Sequence, residues 1–222
     1  MFKILFKKYF SFLSIIYHYL FCKIQIYGTN KLKISKDILL WKSKFKCKGI
    51  NNVIVLGKNV KLEKTRIKIN GNNNKIDICE NVKIYESCEI LVEGDNCEIT
   101  IGRRTTIGSA HIFCGESNTS IKIGKDCMLS RGIYMNTSDF HSIIDAESNL
   151  RINIPANILI DDNVWIGFNA RINKGAIVGK NSIIATSSVV SGKTYPSNVI
   201  LAGIPAKIVK EKVIWKREKL PY

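Results

Sequence analysis

Six aliphatic residues near the end of this 222-residue chain stand at one fixed spacing: Ile160, Ile166, Ile172, Val178, Ile184 and Val190. Each lies six positions after the one before. A helical face recurs every 3.6 residues, a heptad every seven and a half-buried strand every two, so none of them yields six. A sustained six-residue period is the mark of a parallel β-helix, in which each short strand lies above its predecessor. A second position follows four residues after each aliphatic: Val164, Ala170, Ala176, Ser182 and Ser188. Apart from the valine these are small, as a tight corner between flat walls requires. Gly167 and Gly179 directly follow aliphatics, where the chain needs unusual φ or no side chain.

The pattern recurs upstream with breaks. Ile123, Leu129 and Met135 keep the step, as do Ile101, Ile107 and Phe113, and Ile78, Ile84 and Ile90 with Val82 and Cys88 at the small position. Between the blocks lie Gly71-Asn72-Asn73-Asn74, Gly94-Asp95-Asn96 and Gly115-Glu116-Ser117-Asn118. Gly and Asn tolerate left-handed backbone, so these read as polar tips at one corner of the early coils. The repeat covers most of residues 50–204. Four blocks sharing the same offsets are more than an isoleucine-rich composition supplies by chance.

Charge narrows the partners. Lys and Arg number 34 against 18 Asp and Glu, a net charge of +16. Such an excess suits a phosphate-bearing cofactor, an acidic glycan or a membrane surface. Nucleic acid is not expected, since no zinc finger, helix-turn-helix or RNA-binding aromatic motif is present. The seven cysteines form no CxxC pair. They read as reduced and structural, which points to the cytoplasm. No signal-peptide cleavage pattern follows the early apolar stretch. Residues 1–22 carry polar side chains at Lys3, Lys7, Ser11, Ser14 and His18 with apolar residues between, the spacing of an amphipathic helix. The apolar run is too short to span a bilayer. Two roles stay open for it: a cap sealing the open end of the β-helix, or peripheral contact with the inner membrane face. The expected organisation is an N-terminal helix or cap over 1–27, a β-helix over 28–205 with an insertion at 136–159, and a short C-terminal helix or arm over 206–222.

The insertion is where chemistry is expected. Between Met135 and Ile160 the repeat stops, and a long loop on a rigid scaffold commonly carries function. It holds His141, one of three histidines. Histidine is the side chain that both takes and gives a proton near neutral pH. Asp139 lies two residues before it, on the same face if the segment is extended. It serves to orient the imidazole, to bind the acceptor, or only to form a turn. Trp165 precedes an inward aliphatic and so points outward, to stack on a sugar, line a cofactor groove or pack under the loop.

In order, Asp139-Phe140-His141-Ser142-Ile143, Asp162-Asn163-Val164-Trp165-Ile166-Gly167, Ser188-Val189-Val190 and Gly203-Ile204-Pro205-Ala206-Lys207 resemble the hexapeptide-repeat acyltransferases. The likeness spans roughly 50–215 and is greatest to the sugar O-acetyltransferases of bacterial capsule and lipopolysaccharide synthesis. It implies an all-β, left-handed parallel β-helix, a homotrimer, and direct transfer of acetyl from acetyl-CoA to a saccharide hydroxyl. His141 would be the general base and Asp139 its partner, with Asn136 and Trp165 toward the acceptor. The cofactor groove would follow the later coils, at Gly167, Ala185, Thr186, Lys193 and Lys207. Relatives carry Gly-Ala-Gly-Ser where this chain has Ala185-Thr186-Ser187-Ser188, so both glycines are replaced. The acceptor reads as a capsule, O-antigen or related glycan, acidic or lipid-linked.

Three other readings compete. An amino-sugar N-acetyltransferase would share the fold. A zinc lyase would need three converging ligands, yet His18, His111 and His141 are far apart in sequence. A non-catalytic scaffold would leave the histidine loop unexplained.

Overall fold

The computed structural model describes residues 21–221, and among them every regular element is a strand. Three sheets of eight parallel strands each, one of them extended by a ninth, antiparallel strand, form the walls of a left-handed triangular prism. The chain visits sheet A, then B, then C, and climbs one level per circuit. Sheet A runs from Lys23–Gln25 to Val189–Val190, sheet B from Lys31–Ile34 to Thr194–Tyr195, and sheet C from Leu39–Trp41 to Ile200–Gly203.

The interior is a stack of aliphatics. In sheet B, Ile54, Ile76, Ile99, Ile121 and Ile158 lie one above another in register. All are at most 1% exposed. Each buried isoleucine contributes about 1.5–3 kcal/mol. The small positions Val164, Ala170, Ala176, Ser182 and Ser188 are buried at the corners, as their size demands.

Coil length explains the breaks in the repeat. Asn163 and Asn181 stack 18 residues apart in the late coils, which is three hexapeptides. Asn51 and Asn73 stack 22 apart in the early ones. The extra residues are the three polar tips, and all three stand at the corner between sheets A and B. Gly71 there has φ 137, and a Cβ on it would lie 2.0 Å from the Gly94 carbonyl oxygen. One inward assignment slips: Ile112, not Phe113, faces the core. The C-to-A corner before it is Gly108-Ser109, one residue shorter than Tyr85-Glu86-Ser87 below, because Ile107 pairs with Ile84 while Ala110 pairs with Cys88. Phe113 instead packs outside, edge-on to Tyr134 at 5.6 Å between ring centres.

The expected helices need correction. Residues 1–20, the bulk of the proposed N-terminal helix, lie outside the described residues. Within 21–27 the chain is not helical: Lys23–Gln25 pairs with Lys44–Lys46 as the first strand of sheet A. At the other end no helix forms either. Ala206–Lys210 is a strand that folds back antiparallel on Ile200–Gly203. The β-branched pair Ile208-Val209 and an open sheet edge favour pairing there. Beyond it an extended arm descends the prism. Val213 N donates to Asn198 O at 2.9 Å, Trp215 Nε1 to Asn163 O at 2.7 Å, and Arg217 to Cys127 O at 2.7 Å. All seven cysteines are unpaired, and burial pushes the Cys88 and Cys127 thiols up to about 12.

Candidate active site

The inserted loop, 137–157, leaves the same A–B corner as the polar tips and rests on the topmost of them. Its floor is Glu116. Arg151 grips that carboxylate with both terminal guanidinium nitrogens, at 2.5 and 2.7 Å. Ser138 Oγ also donates to it. Arg151 first, and Ser138 next, hold the Glu116 carboxyl down at about 2. The loop's ceiling is Lys174, on the coil above, whose ammonium lies 2.6 Å from Asp139 Oδ2. Lys174, then Asn153, keep Asp139 below the usual carboxylate range.

Asn153 ties floor to ceiling. It is 8% exposed. Its Nδ2 donates to Asp139 Oδ2 at 2.9 Å and to the His141 carbonyl at 2.7 Å. Its Oδ1 accepts from Ile143 N at 2.7 Å and from Arg151 Nε at 3.1 Å. His141 N donates to Asp139 O at 2.8 Å. The backbone of His141 is therefore pinned on both sides, while its side chain is exposed and takes no hydrogen bond from any described residue. Asp139 does not reach the imidazole ring; its carboxylate is spent on Lys174 and Asn153. Just before the histidine, Phe140 sits at φ 61. For an aromatic residue that is a true outlier. It is held by Ser138 Oγ, which accepts from Phe140 N at 2.8 Å, and by a seat on Gly115, where a Cβ would come within 2.9 Å of the ring. Asn136 closes the entry to the loop, its Oδ1 accepting from Ser138 N at 3.1 Å.

Of the remaining expected residues, all but Lys193 stand elsewhere. Trp165 is on sheet C, outward as expected, 38% exposed. Its ring centre lies 5.9 Å from that of Trp215 on the C-terminal arm. It borders a groove of about 500 Å³ together with Met128, Leu129, Arg131 and Arg217. Gly167, Ala185 and Thr186 lie at the C–A corner. Gly167 has a reason of its own: a Cβ there would sit 2.7 Å from the Thr186 backbone nitrogen, so coil stacking alone requires glycine. Lys207 is exposed on the antiparallel strand at the top of sheet C. Lys193 is at the A–B corner, on the level above Lys174. One chain therefore gathers Asp139, His141 and Lys193 at one corner, and Trp165, Gly167, Ala185, Thr186 and Lys207 on another side of the prism.

Sequence reasoning missed the clamp itself, Glu116, Arg151, Asn153 and Lys174. Nothing in their spacing marks them, because two come from neighbouring coils and two from the loop. Among the described residues no three His, Cys, Asp or Glu side chains converge as a metal site would need.

Known proteins match this architecture. The family model for the bacterial transferase hexapeptide (six repeats) matches residues 157–192. A polysialic acid O-acetyltransferase of Escherichia coli O1:K1 / APEC is 41% identical over 127 residues, 57% of this chain and 41% of that one. The polysialic acid O-acetyltransferase of Neisseria meningitidis is 39% identical over 123 residues, 55% of this chain and 57% of that one. The matched stretches thus span about half the length of these curated relatives. Among solved structures, the polySia specific acetyltransferase NeuO superposes with a TM-score of 0.78 at 32% identity, covering 89% of both chains. The polysialic acid O-acetyltransferase OatWY gives 0.80 at 31%, covering 90% of this chain and 92% of that one. With the six-residue coils, the inserted histidine loop and relatives aligned over nearly their whole length, the chain belongs to the hexapeptide-repeat acyltransferases of the left-handed β-helix fold, related to the polysialic acid O-acetyltransferases.

Proposed function

We propose that this protein transfers acetyl from acetyl-CoA to a hydroxyl of an acidic bacterial surface saccharide of the polysialic acid kind. The observation that carries the reading is the pinned His141 loop, in a chain alignable almost end to end with two polysialic acid O-acetyltransferases. The charge of +16 suits an acidic acceptor.

The groove beside Trp165 fits the acyl donor. Met128, Leu129 and Trp165 offer apolar surface for an uncharged arm, and Arg131 and Arg217 offer cations for an anionic end. When bound, acetyl-CoA supplies an activated thioester. His141 accepts the proton of the acceptor hydroxyl as its oxygen bonds to the carbonyl carbon. It returns that proton to the sulfur as the C–S bond breaks. Asn153 and Asp139 act by positioning, through the backbone on either side of His141. Phe140's left-handed backbone stores strain of the kind found at functional sites.

The histidine loop and the Trp165 groove lie on different sides of one prism. For a donor in that groove to meet His141, the loop of one copy must face the groove of another, and this separation supports a homotrimer with a shared site as part of the proposal. The free cysteines suit a reducing compartment, which supports the cytoplasm as the site of the proposed reaction. The test is free-thiol release from acetyl-CoA across a panel of acidic and neutral saccharides. Wild type turning over an acidic glycan, with His141→Ala reduced by on the order of 10²–10⁴-fold, is the expected result. Equal turnover by the variant sinks the assignment of the base.

A further inference from the structure

Sheet A carries a block of positive charge on its lowest coils, well away from the histidine loop. Lys44 and Lys46 face outward from one strand. They pair in register with Arg66 and Lys68 on the next, and Lys23 pairs with Lys44 from below. At the adjoining C–A corner stand Lys42 and Lys64. Lys42, Lys44, Lys64 and Arg66 line a groove of about 210 Å³. Its single carboxylate, Glu89, is engaged by Arg66 at 2.9 Å and by His111 at 3.6 Å. Lys42, Lys44 and Lys64 are all exposed, and none has an ion-pair partner among the described residues. Like charges stacked one coil apart, about 4.8 Å, repel one another, so the block costs stability unless an anion fills it.

The backbone supplies an independent observation. Lys42 and Lys64 have φ of 50 and 49. Higher up the same corner the left-handed position is held by Gly132, Asn169 and Ser187, of which the first two adopt it readily. Lysine does not, yet two successive coils place one there. Strain tolerated twice at one spot, for ammonium groups with no carboxylate partner among the described residues, marks a ligand surface, although Lys42 also lies 5.5 Å over the Trp41 ring centre.

On the reading of this chain as an acetyltransferase for an acidic saccharide, we infer that the groove of Lys42, Lys44, Lys64 and Arg66 is an exosite that holds a distant, already polymerised part of the acceptor. The groove and the His141 loop share sheet A, four coils apart between Lys44–Lys48 and Ile133–Asn136. That is roughly 20 Å at the spacing of stacked strands. A short oligosaccharide reaches one or the other, and a long acidic chain reaches both. Binding at two linked points raises apparent affinity without any new contact at the reacting centre. A second copy of this chain is a poor occupant, since it would bring the same charges face to face.

The test uses the full chain with Lys42→Asn and Lys64→Asn together. Asparagine suits the left-handed backbone, so the variant keeps or raises its Tm and weaker binding cannot be laid to unfolding. The probes are long polysialic acid, sialic acid oligomers too short to span the two points, and vesicles of anionic phospholipid. Expected are tenfold or so weaker binding of the long polymer, a slope of log affinity against log salt shallower by roughly one to two, and unchanged turnover of the short oligomer. Unchanged polymer affinity and salt slope would overturn the exosite. So would a variant that loses vesicles while retaining polymer, because the surface would then serve a lipid. If wild type binds polymer and the variant does not, yet neither acetylates any saccharide, the exosite stands and the transferase reading fails.

Discussion

Asn153 makes four hydrogen bonds from one nearly buried amide: to Asp139, to the His141 carbonyl, from Ile143 N and from Arg151. It is the residue through which the loop holds its histidine. Asn153→Asp keeps the shape and the acceptor but removes both donations, and sets a carboxylate beside Asp139. We expect kcat to fall on the order of 10²-fold, the usual cost of a misplacement near 1 Å, with a far smaller change in KM for acetyl-CoA. Steady-state kinetics on both substrates checks the split. At Gly167 the expectation concerns stability. Gly167→Ala puts a methyl 2.7 Å from a backbone nitrogen, which cannot swing aside as a side-chain tip could. Denaturant unfolding should show a loss of about 1–3 kcal/mol, with or without ligand present. A glycine needed only for close approach of a cofactor would leave the free protein's stability unchanged.

The loop as an element is an insertion clamped between two coils. Its lower clamp depends on pH in a definite direction. Folding lowers Glu116 from 4.5 to about 2. The carboxylate's pairing therefore stabilises the folded loop fully above the higher value and is lost as pH falls toward the lower one. Arg151→Met removes the pairing at any pH. The stability gap between wild type and this variant should be widest near neutrality and should close between about 4.5 and about 2. Urea titrations across that range measure it, and a gap independent of pH would show that Glu116 does not anchor the loop. The C-terminal arm is the second element with a role. Trp215 is 7% exposed and donates to Asn163 O. Trp215→Ala should free residues 211–219 to fast amide exchange and widen the groove beside Trp165.

At the scale of the molecule, the prism is a one-dimensional stack in which each coil packs mainly on its neighbours. Stability is then close to a sum of coil and interface contributions. Ile172→Ala, in mid-stack and 0% exposed, should cost about 2–5 kcal/mol. Thermal unfolding monitored at both ends of the stack shows whether the loss spreads. The period of six was legible in the chain because every coil must present the same face inward, and that demand is repeated locally many times. Hence the prism, the inward columns, the polar tips at one corner and the histidine insertion could all be read from residue order. Where corners differ in length by a single residue, counting sixes slips, as at Phe113. The C-terminal segment, read as a helix or an arm, contains no helix, because an open sheet edge decides pairing and local spacing does not report it. The sequence by itself determined the repeat and the parallel β-helix, since these follow from burial recurring at short range. Only the tertiary structure decided what surrounds His141. Glu116, Arg151, Asn153 and Lys174 lie up to 58 positions apart and become neighbours only because successive coils stack their corners. Nor could linear order reveal that Trp165 stands on a different side of the prism from the loop that precedes it.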